Sequence, residues 1–273
     1  MPSQPKQSER YFHPSRKSSF LLDIFQFLLL MAFLGWLFVK SSGQLGYHWQ
    51  WYRIWPYLLR VDESGIHGGA LLDGLAVTLK ICAISMCLSL AVGLATAFFR
   101  VSNSPLARWV ARGYLELTRN TPLLIQIFFI YFVLGPILGL ARFNAAVLAL
   151  TLFEGAYVSE IFRSGILSID KGQLEAGYSI GFSTYRNYRH IVLPQAVRIT
   201  LPPLTNQMIS LIKDSALVST IAIYDLSMQA QSIIAETYLV FEIWFVVAAI
   251  YLVMTVSLSL LINLLERRLR TTA

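Results

Sequence analysis

Residues 75–99 read LAVTLKICAISMCLSLAVGLATAFF, and the fold turns on this stretch. Lys80 is its only charge. A helix needs about 20 mostly apolar residues to cross the hydrocarbon core, and in lipid only a helix or a closed barrel satisfies its own backbone. The run is too long for a strand, so it reads as a spanning helix. Lys80 lies near its outer end, where a long side chain can snorkel. Cys82 and Cys87 lie five apart, on different faces and too far for a bridge, and read as small packing residues.

Five further runs of the same kind flank it: Phe20–Val39, roughly Leu123–Leu140, Phe143–Phe162, roughly Leu201–Ile223 (interrupted by Lys213 and Asp214) and Val240–Leu265. The composition agrees. Of 273 residues, 56% are hydrophobic and 14% charged, against about 45–50% and about 25% in soluble domains. This excludes a disordered chain, a collagen-like chain and an ordinary soluble enzyme. The expected fold is all-α, a polytopic membrane protein with about six transmembrane helices. A basic tail precedes the first run, as in a signal peptide. That run is long for such a segment, however, and no A-x-A site follows it, so it reads as an uncleaved span.

The net charge of +7 looks at first like nucleic-acid binding, but its distribution decides otherwise. Lys6, Arg10, Arg16 and Lys17 precede the first span. Arg100, Arg108, Arg112 and Arg119 follow the second, and Arg163, Lys171, Arg186, Arg189 and Arg198 follow the fourth. Arg267, Arg268 and Arg270 end the chain. The alternate loops hold only Lys40, Arg53, Arg60 and Arg142. Sixteen against four is the positive-inside pattern, with both termini cytoplasmic. No nucleic-acid partner is needed. The expected organisation is a cytoplasmic tail (1–19), a first helix (20–39), a periplasmic interfacial segment rich in Trp and Tyr (40–73), a core (74–265) and a short cytoplasmic tail (266–273). The chain has no P-loop, GxSxG or HExxH, and its four histidines lack metal-ligand spacing. No catalytic residue, metal or cofactor is expected in it.

The cytoplasmic segment GILSIDKGQLEAGYSIGFSTYRNYRHIVLPQAVR (165–198) is too long for a turn. Asp170 and Gln173 have capping-box spacing. Gly181 is suited to break the helix, Ser183 to cap a second short helix running to about Val192, and Pro194 to end it or start the next. A helix–Gly–helix on a membrane face is best justified by a partner's groove.

Glu175-Ala176-Gly177, three residues, Gly181, nine residues and Ile191-x-Leu193-Pro194 resemble the EAA loop of ABC importer permeases, with Gly177 in place of the second Ala. The exchange weakens a helix by about 1 kcal/mol. Further pieces resemble the polar amino-acid (histidine/glutamine-type) branch: Gly74-x3-Thr78-Leu79, Glu116-x2-Arg119-Asn120-Thr121-Pro122-Leu123, Gly155-Ala156-Tyr157-x2-Glu160-Ile161-x-Arg163 and Ile212-Lys213-Asp214-Ser215-x3-Ser219. The resemblance covers roughly residues 70–268 and leaves the first span outside.

The resemblance implies a type I ABC importer permease fold in the bacterial inner membrane. It implies pairing with a second permease subunit, identical or similar, docking on a cytoplasmic ABC ATPase dimer that uses ATP and magnesium, and delivery of substrate by a periplasmic amino-acid-binding protein. Glu175, Ala176, Gly177, Gly181, Ile191, Leu193 and Pro194 carry over as the ATPase-coupling element. Membrane lipid is the remaining partner. Charges within spans normally face protein or water. Glu154, near the middle of its run with Tyr157 on the same face, therefore either lines the substrate path or makes a hydrogen bond across the bundle. Glu160 either pairs with Arg119 or a neighbour or contacts substrate. Lys213, Asp214 and Ser215 mark either a helix break near the path or a packing role, and Thr121 either a helix start or a gate. An ion-coupled secondary transporter would also use intramembrane charges, and an integral-membrane enzyme would need a catalytic cluster that is not found.

Overall fold

In the computed structural model the described residues are 19–44, 46–62 and 65–271. The expected N-terminal tail lies, but for Ser19, outside them, as do the last two residues of the expected C-terminal tail. The chain forms two units, 1–49 and 50–273. The first holds helix α1 (Ser19–Gln44), whose described side chains from Leu22 to Leu37 are all exposed.

The second unit opens with a 3₁₀ turn (Trp51–Arg53), a short helix α2 (Trp55–Leu58) and an antiparallel hairpin, β1 (Leu59–Asp62) with β2 (Gly65–Gly68). This hairpin is a small β addition to an otherwise all-α fold. Then come α3 (Ala70–Val101), α4 (Pro105–Arg119) and α5 (Leu123–Phe128), which runs through a π-helical stretch (Phe129–Leu134) into α6 (Gly135–Leu138). After α7 (Arg142–Leu167) follow α8 (Lys171–Ser179) and α9 (Thr184–Asn187). A π-helical stretch (Tyr188–Val192) leads into α10 (Leu193–Asp214), and a 3₁₀ segment (Ser215–Ile221) continues it. Helices α11 (Leu226–Thr237) and α12 (Val240–Thr271) complete the chain.

Helices α3 and α7 form the centre of the bundle. Lipid tails are as apolar as leucine, so helices in a bilayer associate by close packing of small residues rather than by a hydrophobic stripe. The buried face of α3 carries Gly74, Thr78, Cys82, Ser85, Ser89 and Gly93 at helical spacing. A Cβ on Gly93 would meet Val158 Cγ1 of α7 at 2.5 Å, and one on Gly155 would meet Val92 Cγ1 of α3 at 3.0 Å. Both cysteines are free. Lys80 Nζ lies 5.5 Å from the centre of the Phe143 ring.

Several expectations are refined. Four described helices are long and apolar enough to cross a membrane, five if the pair α4 with α5–α6, bent by 109°, counts as one span. The third expected run ends at Leu138, two residues early. Helix α10, the expected fifth span from Leu201, falls below that measure of length and composition because Thr205, Asn206, Gln207 and two prolines dilute it, but it packs inside the bundle against α7, α12 and α3, and with it the count is the expected six. The interruption expected at Lys213 and Asp214 is a change of helix type: these two residues close the α-helix, and the chain goes on as 3₁₀. Finally, the expected C-terminal tail from residue 266 is helical as far as Thr271.

Candidate functional site

Helix α8 begins where the Asp170 carboxylate accepts from the amide of Gly172 at 2.6 Å. Only half of the expected capping box forms, because the Gln173 side chain takes a hydrogen bond from Gln195 Nε2 instead of reaching back. At its other end the Gly181 amide donates to Tyr178 O and that of Phe182 to Gly177 O, both at 3.0 Å. This pair of bonds is a Schellman closure, which requires a left-handed residue, and Gly181 supplies it with φ +81°. Ser183 accepts from the Arg186 amide and caps α9 as expected.

The second helix is not short. Each cap residue from Tyr188 to Leu193 is itself helical, so α9, the π-helical stretch and α10 run on without a break. Pro194 lacks an amide donor and its ring crowds the carbonyl four residues back. The wider π-helical stretch just upstream absorbs this.

Gly177 is more than a weak substitute for Ala. It is buried under α9, and a Cβ there would lie 1.8 Å from Asn187 Oδ1 and 2.8 Å from Ile191 Cδ1. Asn187 is fully buried and donates through Nδ2 to Leu174 O at 3.2 Å. Nothing in the sequence marked Asn187, which locks the corner. On the opposite side Glu175, Ala176, Tyr178, Ile180, Tyr185 and Leu193 are exposed, Ile180 by 71% and Tyr185 by 72%. The expected coupling residues therefore divide: Gly177 and Gly181 shape the corner, Ile191 is half-buried within it, and Glu175, Ala176, Leu193 and Pro194 stand on its surface.

Within the bundle Glu154 is fully buried and accepts a hydrogen bond from Gln207 Nε2 of α10. Its other oxygen and Thr151 Oγ1, one turn away, are buried with no hydrogen-bond partner among the described residues. Tyr157 is half-buried, and its ring centre lies 5.9 Å from the Arg119 guanidinium. Glu160 is held by three guanidiniums: Arg100 at 2.6 Å, Arg119 at 3.1 Å and Arg163 at 3.2 Å. One carboxylate thus joins the ends of α3 and α4 to α7, and two positive charges are left over. Lys213 is exposed, Asp214 half-buried, and Ser215 buried with its hydroxyl on Ile212 O. Neither Asn120 nor Thr121 caps the third span. Asn120 bonds back to Glu116, Thr121 Oγ1 donates to Leu117 O, and Pro122 occupies the N-cap position in extended conformation. The Gln126 side chain closes the bend by donating to Thr118 O and to both oxygens of Thr121.

Residues 89–271 match the family described as "Binding-protein-dependent transport system inner membrane component". The chain belongs to this family. The permease is 38% identical over 223 residues to the glutamine transport system permease protein GlnP of Escherichia coli (strain K12), covering 81% of this chain and 97% of that one. It is 40% identical over 199 residues to the probable glutamine ABC transporter permease protein GlnM of Bacillus subtilis (strain 168), covering 72% and 92%. Among solved structures, an amino acid ABC transporter with histidines superposes with a TM-score of 0.69 at 39% identity, over 73% of the permease and 94% of that chain. The fold is that of a type I ABC importer permease, and the protein is a multi-pass component of the inner membrane, not itself a hydrolase. A permease of this family works with an ATPase and a substrate-binding protein. The comparisons give no support to the ion-coupled alternative.

Proposed function

We propose that this permease carries polar amino acids inward by alternating access. A cytoplasmic ATPase dimer that uses ATP and magnesium drives it, and a periplasmic amino-acid-binding protein feeds it. The observation that carries the reading is the corner of α8 and α9: a short helix with an apolar exposed rim, clamped through Asn187 and Gln195 to the continuous helix that enters the bundle. Glu175, Ala176, Leu193 and Pro194 meet the ATPase; Gly177, Gly181 and Ile191 give the corner its shape. A second permease subunit, identical or similar, completes the assembly, and both termini are cytoplasmic.

The same reading places Glu154, Tyr157 and Thr121 along the substrate path, with Glu160 and its arginines at the cytoplasmic end and Lys213, Asp214 and Ser215 at the outer end of α10. The unpartnered oxygens of Glu154 and Thr151 support a polar internal position that receives the substrate ammonium group when the seam between α7 and α10 parts. The test is uptake of radiolabelled amino acids into proteoliposomes, with and without the ATPase and internal ATP. Uptake that needs both is expected. Gradient-driven uptake without ATP overturns the proposal.

A further inference from the structure

Helix α4 divides lengthwise into three stripes. Ala111, Leu115 and Thr118 are buried against the bundle. Beside them, at helical spacing, run Arg108, Arg112 and Arg119; Arg119 is taken by Glu160, while Arg108 and Arg112 are exposed and make no ion pair among the described residues. Farther round lies an apolar arc of Leu106, Trp109, Val110 and Leu117, exposed by 70%, 75%, 49% and 72%, around Gly113, where an added Cβ would meet nothing within 4 Å.

Both ends of α4 are tethered. Three residues (102–104) join it to α3 and three (120–122) to α5. At ~3.3–3.6 Å per step, and four steps from helix end to helix end, neither tether reaches beyond roughly 14 Å. The helix is bent by 109° from α5–α6. It therefore stays at the level where the neighbouring spans leave the bilayer. Apolar and basic stripes side by side at that level suit a helix lying in the interface plane, with its aromatic and aliphatic side chains among acyl chains. Glu116 lies between the two arginines and the arc with its carboxylate on Asn120 Nδ2 at 2.8 Å, and Arg108 and Arg112 leave the stripe net positive, which complements an anionic headgroup.

We propose that α4 is an interfacial anchor that binds anionic phospholipid: Arg108 and Arg112 hold the headgroup phosphates, and Leu106, Trp109, Val110 and Leu117 lie among the acyl chains. The inference rests on the membrane placement and sidedness proposed above. Its test does not read transport, so the two fail separately.

The permease with its ATPase is reconstituted in nanodiscs of phosphatidylcholine alone or mixed equally with phosphatidylglycerol. Lipid retained on the detergent-extracted complex is then counted by native mass spectrometry. At about 1 kcal/mol per basic residue near an anionic surface, R108Q/R112Q is expected to weaken phosphatidylglycerol retention roughly tenfold to thirtyfold, with R108K/R112K restoring it. Brominated acyl chains are expected to quench a tryptophan component that the Trp109→Phe variant lacks. Equal retention by wild type and R108Q/R112Q overturns the proposal. So does the absence of a Trp109 component in the quenching, or cross-linking of Leu106→Cys between two copies, which would mean that a second permease covers the arc.

Discussion

Restoring the family's usual alanine in the coupling loop should damage this permease. In an exposed helix Gly→Ala is worth about 1 kcal/mol in favour of the helix. At Gly177 the new methyl would fall 1.8 Å from Asn187 Oδ1, 2.8 Å from its Cγ and 2.8 Å from Ile191 Cδ1. Asn187 has no free volume to move into, since it is fully buried and tied to Leu174 O. Displacing it leaves a buried amide without its partner, about 1–3 kcal/mol, and crowding Ile191 adds about 1–3 kcal/mol. Set against the propensity gain, the net is about 1–5 kcal/mol against the closed corner, so the corner opens about fivefold more often at the least. Hydrogen exchange at the Gly181 and Phe182 amides, whose acceptors are Tyr178 O and Gly177 O, reads that opening in the assembled complex, and ATP hydrolysed per substrate imported reads its consequence. The same change in an Asn187→Ala background meets no carboxamide, keeps only the Ile191 contact and should cost about 0–2 kcal/mol, giving a coupling energy of about 1–3 kcal/mol between the two positions. Unchanged exchange in Gly177→Ala, or the same effect in both backgrounds, refutes the argument.

Other outcomes follow from the same geometry. Gly181→Leu has room for its side chain but not for its backbone, because φ +81° costs a residue with a Cβ roughly 1–2 kcal/mol; hydrolysis should continue while uptake falls, and wild-type uptake would sink the idea. Glu154→Gln keeps shape and burial but removes the charge, so uptake of a substrate bearing an ammonium group should drop while detergent-solubilised complexes stay assembled; unchanged affinity and rate would remove Glu154 from the path. Asp225 caps α11 through Met228 N, with its other oxygen buried and unpartnered, and burial pushes its pKa up to about 6. A carboxyl raised in the folded state favours folding while protonated, and that contribution is lost as pH rises from about 4 to about 6. Asp225→Asn retains the cap without the charge, and should raise Tm at pH 8 and flatten its dependence between pH 4 and 6; an unchanged pH profile would count against it.

The sequence was legible where a local pattern carried the physics. Long apolar runs with few charges announced α3, α7 and α12, and Gly181 and Ser183 announced the corner between α8 and α9. It was less legible where partners are distant. Asn187 offers no signal until it is packed under Gly177, and buried Glu242 accepts from the amide of Gln50, 192 positions away. The small residues along α3 decide which face meets α7, yet they show little amphipathic contrast, since both faces are apolar. Helix α10 was legible as a run, but the roles of its polar residues were not: in the bundle Gln207 meets Glu154, and Thr205 turns its hydroxyl back on Leu201 O and Pro202 O.

That helix also gives the proposed coupling a route from the corner into the bundle. Leu174 of α8 is tied to Asn187 and Gln173 to Gln195, so α8 is fixed at two points to one helical rod and moves with it. Farther along the rod Thr200 fills the space beside Gly165 of α7, where an added Cβ would lie 2.2 Å from Thr200 Cγ2. Gln207 then reaches Glu154, about 18 Å from Gln195 at ~1.5 Å per residue. Between these two contacts stand Pro202 and Pro203, which remove the amides that would bond Arg198 and Ile199 and so soften the rod at one place. On the proposed coupling, a displacement of the corner would pass Gly165 with the rod and be taken up as bending at Pro202 and Pro203, just below the Glu154–Gln207 contact.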